Sequence, residues 1–274
     1  MNLYQIYFRE DQIPNLDSDF IPYDNTDSVG KPSIDWTWDV YRDLYEKHPD
    51  EYWGTVSWKF KQKTNLTGKQ FKEFIEANPG YDCYIVNGAI ADEAVFVNGW
   101  EQSLACHGTE PFQIATDYMK WYTGMDINLT NILLTRNMTS YAGFVYASPR
   151  YWNAHFAFMD GLFKMAEMSP EYHDRLFKSG TGNYELDSRV TAFAVIHERM
   201  VSTTMLLNNF KTITYKYDDE TVAERFKPFF EEIDVISTLK DKLILYPELQ
   251  PVWRYYRSQF IDNNPRSLKV YNEY

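Results

Sequence analysis

A chain of 274 residues is long enough for one large domain with a substantial core, and too long to be a small disulfide-stapled module. Aromatic residues make up 18% of it, so much of the apolar surface comes from Tyr, Phe and Trp rings, whose faces and polar edges suit sugars and nucleobases as well as a core. The net charge of −12 excludes the overall basic footprint of nucleic-acid or anionic-membrane binders, although Lys59, Lys61, Lys63, Lys69 and Lys72 make one stretch locally basic.

Two cysteines, Cys83 and Cys106, make neither a disulfide framework nor a zinc site and fit a reducing compartment. The opening MNLYQIYFRED lacks the basic start and apolar run of a leader, and no run of about 18 apolar residues occurs. A cytoplasmic chain without a transmembrane segment is the expectation.

Taken in order, Leu3 to Phe8 is rich in β-formers and predicts a buried first strand. Turn chemistry from Glu10 to Ser33 predicts a loop, interrupted by the apolar piece Phe20-Ile21-Pro22-Tyr23. Trp38, Tyr41, Leu44 and Tyr45 share helical spacing that ends before Pro49. Tyr52 to Phe60 predicts a strand, and Thr67 with Gln70 is a capping-box signature for a helix burying Phe71, Phe74 and Ile75. Asn78-Pro79-Gly80 stops that helix, and Tyr81 to Val86 predicts the next strand, so a neighbouring parallel pair joined by a helix is expected. Later helices are predicted around Ile114 to Tyr122, Tyr151 to Met168 and Ala192 to Leu207, and later strands at Phe144 to Ala147 and Ile213 to Tyr217. Helical patterns return after about residue 220. No repeat or linker divides the chain.

No glycine-rich phosphate loop, GxSxG elbow, HExxH or Cys/His cluster is present, and the five histidines are scattered singly. Four other pieces occur in a consistent order. Tyr52-Trp53-Gly54-Thr55-Val56-Ser57-Trp58-Lys59-Phe60, followed by Lys63-Thr64-Asn65-Leu66-Thr67-Gly68, resembles a motif of bacterial glycosyltransferases that build surface polysaccharides (capsular and rhamnan synthesis). Tyr81 to Asn87 resembles the strand that follows it there, and Tyr146-Ala147-Ser148-Pro149-Arg150-Tyr151-Trp152 with Phe156 and Phe158 resembles the passage supporting the acceptor side. Arg189 with His197-Glu198-Arg199-Met200 resembles the late helix of GT-A-type transferases.

This resemblance implies an α/β fold with a GT-A-like, Rossmann-like mixed sheet flanked by helices: a core over residues 1–217 and a helical extension over 218–274 packed on it. It implies a nucleotide-sugar donor and a glycan or other hydroxylated acceptor, with Glu198, Arg199 and Asp82 as catalytic candidates. The donor candidates are Tyr7, Ser57, Lys59, Asn87 and Arg189, with the nucleoside diphosphate near Tyr7, Ser57 and Asn87. Trp100, Glu101 and His107, in what reads as a loop, are acceptor candidates. The family usually holds a divalent Mg or Mn ion with Asp-x-Asp after a hydrophobic strand. Here that strand end is Asn87-Gly88-Ala89, while Asp17-Ser18-Asp19 and Asp218-Asp219-Glu220 lie elsewhere, so either Asp82 or Asp92 helps hold the ion or Lys and Arg balance the diphosphate without one. Two rivals remain at this level. One is a virus-encoded transferase acting on hydroxymethylated DNA bases; the other is a non-catalytic carbohydrate-binding or scaffold protein.

Overall fold

The computed structural model describes residues 1–28, 36–177, 191–225 and 229–263. The described residues form six strands interspersed with twelve α-helices. They are β1 (Asn2–Tyr7), β2 (Ile21–Asp24), α1 (Trp36–Lys47), β3 (Trp53–Ser57), α2 (Phe60–Thr64), α3 (Gly68–Ala77) and β4 (Cys83–Ile85), then α4 (Ile90–Val95), α5 (Gly99–His107) and α6 (Thr109–Thr123). The chain continues through β5 (Val145–Ala147), α7 (Pro149–Glu167), α8 (Pro170–Phe177), α9 (Ala192–Leu207) and β6 (Thr212–Thr214) to α10 (Asp219–Arg225), α11 (Phe230–Lys242) and α12 (Gln250–Asn263).

The strands form one mixed sheet in the order β2-β1-β3-β5-β4-β6. β1 runs parallel to β2 and β3, β6 parallel to β4, and β5 antiparallel to both β3 and β4. The expected strand-helix-strand unit is therefore corrected in one respect: β3 and β4 share a direction and a sheet, but β5 lies between them. A strand-helix-strand spacing sets direction and leaves adjacency open, and the three wholly buried residues of β5 fill the gap. The piece around Phe20, expected within a loop, supplies the edge strand β2, where Pro22 does not break a central ladder.

Side-chain alternation sorts the core onto the two faces of the sheet. Ile6, Trp53, Cys83, Ile85, Val145 and Ala147 point to the face covered by α1, α6, α7 and α9, where Trp53 and Trp152 stack at 3.9 Å. Leu3, Val56, Tyr84, Val86 and Tyr146 point to the other, where Phe60, Phe71 and Ile75 meet Ile233, Ile236, Trp253 and Phe260 of the C-terminal helices. The capping box forms as expected: Gln70 N–H donates to Thr67 Oγ1 at 3.2 Å, and Gln70 Oε1 accepts from Thr67 N–H at 2.9 Å. No helix among the described residues is long and apolar enough to cross a membrane.

Candidate functional site

The chain passes from β1 to β2 on one side and then crosses to β3 on the other, which makes the carboxyl ends of β1 and β3 a topological switch point. In open α/β sheets that switch point is where ligands bind. Tyr7 ends β1 and Ser57 ends β3. Thr55, Val145 and Ile85 lie in register across β3, β5 and β4, so Asn87, two residues beyond Ile85, stands level with Ser57. The donor candidates Tyr7, Ser57, Lys59 and Asn87 thus come to one end of the sheet; Arg189 lies outside the described residues.

Local structure fixes each of them. The Tyr7 hydroxyl donates to Asp24 at the end of β2, whose carboxylate also accepts from the backbone and hydroxyl of Thr26. Ser57 Oγ accepts from Lys59 N–H at 3.3 Å, holding the turn that leads from β3 into α2. Lys63 follows one helical turn after Lys59, its N–H bonded to the Lys59 carbonyl at 2.8 Å. The Lys63 ammonium stands 5.8 Å from the centre of the Phe144 ring. Burial pushes it below the ordinary lysine range; Glu198, reaching across from α9, acts against that shift, and Lys59 adds to it. Asn87 is 3% exposed; its Oδ1 accepts from Ala89 N–H at 3.2 Å, and its Nδ2 has no hydrogen-bond partner among the described residues.

Glu198 and Arg199 divide between this edge and the interior behind it. Glu198 keeps 28% of its side chain exposed, whereas Arg199 keeps 4%. Arg199 is ion-paired with Glu198 and donates to Gln102 Oε1 at 2.7 Å and to the Val195 carbonyl at 3.2 Å. It also approaches His107 Nε2 at 3.1 Å. Since guanidinium only donates, His107 Nε2 accepts, and His107 is neutral. Burial, reinforced by Arg199, lowers its pKa to about 3. Gln102 Nε2 donates onward to Asp92 at 3.2 Å. Asp92, 7% exposed, is raised to about 6 by burial, against the opposing pull of Gln102 and Arg199.

Four candidates stand apart from this edge. Asp82 precedes β4, at the opposite end of that strand from Asn87, and its side chain accepts from Arg150 at 3.1 Å, Lys211 N–H at 3.0 Å and the Ser148 hydroxyl at 3.3 Å. It ties β4 to the starts of α7 and β6. Trp100 and Glu101 belong to helix α5 rather than a loop, because Asn98 caps its first turn through Trp100 N–H at 2.8 Å and Glu101 N–H at 3.0 Å. Trp100 is buried, its indole N–H on Thr203 Oγ1 at 3.0 Å, and Glu101 pairs with Arg257 of α12 at 2.6 Å. His107 closes the same helix. The residue that sequence reasoning passed over as a site member is Lys63; Asp92 enters there only as an aid in holding an ion. Lys63 carried a signal, four positions after Lys59 within the same motif, and Asp92 carried another as a charge in the apolar run Ile90 to Val95.

The donor set decides how well a divalent Mg or Mn ion suits this edge. Two ammonium groups repel a cation, Asp24 is taken up by Tyr7 and Thr26, Glu198 faces Lys63 and Arg199, and Asp92 is buried against Gln102. Asp17 accepts from Gly68 N–H at the start of α3, and Asp218 from Thr221 N–H in α10. Among the described residues, no three His, Cys, Asp or Glu side chains gather as a ligand set. The described residues of this edge do not fit a carboxylate-held ion. Comparisons with protein-family models, with curated proteins and with solved structures find no match.

Proposed function

We propose that this chain is a glycosyltransferase with a GT-A-like core, moving a sugar from a nucleotide donor to a hydroxyl acceptor, with a polysaccharide as the first acceptor to test. The observation that carries the proposal is the gathering of Ser57, Lys59 and Lys63 at the switch point of the sheet, with Glu198 facing Lys63 from α9. These residues come from two of the motifs that resemble polysaccharide-building transferases, more than 120 positions apart in the chain, and Glu198 acts on Lys63 electrostatically across that separation. The parallel strands β2, β1 and β3, joined through the single reversed strand β5 to the parallel pair β4 and β6, are compatible with that core.

The division of labour follows from charge. The developing negative charge on a leaving diphosphate is stabilised by fixed cations, here Lys59 and Lys63. A carboxylate facing the transferred sugar orients an acceptor hydroxyl or stabilises the positive charge that develops on the sugar, and Glu198 is the half-exposed carboxylate beside those lysines. Arg199 holds Glu198 from behind. The test is a melting-curve screen of nucleotide sugars, since a ligand at about 100 times its Kd adds roughly 2.7 kcal/mol of stability, followed by measurement of donor hydrolysis and transfer. Stabilisation by one nucleotide sugar with turnover supports the proposal; a folded chain that binds and hydrolyses none contradicts it.

A further inference from the structure

We infer that Lys59, Lys63 and Asn87 form a diphosphate site that works without a metal ion, the two ammonium groups standing where the resembling transferases place a cation. The inference deepens the transferase proposal, and rests on it only for the rest of the ligand beyond its diphosphate.

Three independent observations converge on it. Lys59 and Lys63 are one helical turn apart, joined by the Lys63 N–H to Lys59 carbonyl bond at 2.8 Å, so both rise from the same side of α2 directly after the carboxyl end of β3. Two like charges this close oppose one another, and the Lys63 ammonium is in addition drawn out of water, with Glu198 as its nearby counter-charge. A diphosphate brings several negative charges to that place, and lysine serves phosphate as a compact point charge.

The second observation is the backbone. Gly88 packs so closely on α2 that a Cβ there would stand 2.1 Å from the Lys63 carbonyl oxygen. This contact holds the end of β4 against the turn that carries the lysines. The third is Asn87, the residue before Gly88. It is 3% exposed, and its Nδ2 has no acceptor among the described residues. A buried donor without a partner costs about 1–3 kcal/mol, and a phosphate oxygen is a strong acceptor that relieves the cost.

Inorganic pyrophosphate is the probe, titrated calorimetrically into the full chain with excess EDTA and again with Mn²⁺. Saturable binding in EDTA is expected. Lys59→Met and Lys63→Met should each weaken it by at least about tenfold, ~1.4 kcal/mol, while Lys63→Arg retains most of the affinity. Melting curves accompany each variant, and if Lys63→Met does not fold, the half-buried Lys59 decides the matter. Binding that appears only with Mn²⁺, no saturable binding in EDTA, or wild-type affinity in folded Lys59→Met and Lys63→Met would overturn the inference. Metal-free pyrophosphate binding with no transfer from any nucleotide sugar would remove the transferase proposal and leave the anion site standing. Transfer that requires Mn²⁺ would do the reverse.

Discussion

Gly88 lies against the carbonyl of Lys63, and a methyl group at residue 88 would stand 2.1 Å from that oxygen and 2.8 Å from its carbon. Both atoms are backbone, so no side chain can swing away to make room. Gly88→Ala is expected to force β4 and α2 apart, with a loss of about 1–3 kcal/mol as for an overpacked core, and to weaken pyrophosphate binding as Lys63 shifts. Urea unfolding and calorimetry check both. A variant with wild-type stability and affinity would show that the contact carries neither.

The neighbours Glu198 and Arg199 are predicted to fail differently when replaced. Glu198→Gln should lower transfer by at least about 100-fold, roughly 2.7 kcal/mol of barrier, with little change in melting temperature, because Glu198 is 28% exposed. Arg199→Met should instead lose about 3–5 kcal/mol of stability, since it strands Gln102, His107 and Glu198 around a buried gap. Paired melting and rate measurements separate the two. Activity lost only in proportion to unfolding in Glu198→Gln would return that residue to the scaffold.

Asp92 gives stability a definite pH dependence. Burial raises its pKa from 3.8 to about 6, so the fold holds the proton more tightly than the unfolded chain does. Its contribution is therefore fully present below pH 3.8 and declines as pH rises to about 6. A shift of two pKa units corresponds to about 3 kcal/mol. Asp92→Asn keeps an acceptor for Gln102 and removes the titration, so it should equal the wild type in acid and exceed it in stability above about pH 6. Unfolding midpoints of both proteins across that range check the sign. An advantage for the variant that shrinks as pH rises would contradict the assignment.

The C-terminal helices bury part of the same core as the sheet. Trp253 is 1% exposed, touches the cluster that contains Leu3 and Val56, and donates its indole N–H to the Ala94 carbonyl at 3.3 Å. Trp253→Ala is expected to cost about 3–5 kcal/mol and to lower the unfolding midpoint of the whole chain in one transition. A separate early transition would show that α11 and α12 unfold on their own.

Local signals carried over well into structure, and long-range ones did not. Thr67 and Gln70 announced α3 because a capping box is a contact between near neighbours, and the apolar run from Ala192 to Leu207 announced α9 for the same reason. The place of β5 between β3 and β4 depends on a partner more than 50 residues away, which no short window contains. Trp100 looked like the anchor of an open loop because Asn98, Gly99 and Gly108 punctuate the sequence there; in the fold Asn98 and Gly108 bound a buried helix. Asp82 shared a motif with Asn87, but a strand separates its two ends, and Asp82 fell on the end away from the lysines. The electrostatic pull of Glu198 on Lys63, on which the site rests, joins positions 135 residues apart and became legible only in three dimensions.

Release of nucleoside diphosphate from a panel of nucleotide sugars tests the central claim most directly, run with the wild type and Glu198→Gln side by side and with folding checked in both. The wild type is expected to turn over at least one donor, faster with a glycan acceptor present, and folded Glu198→Gln to be at least about 100-fold slower on that donor. A folded wild type that releases nothing from any donor, with or without acceptor, would contradict that claim.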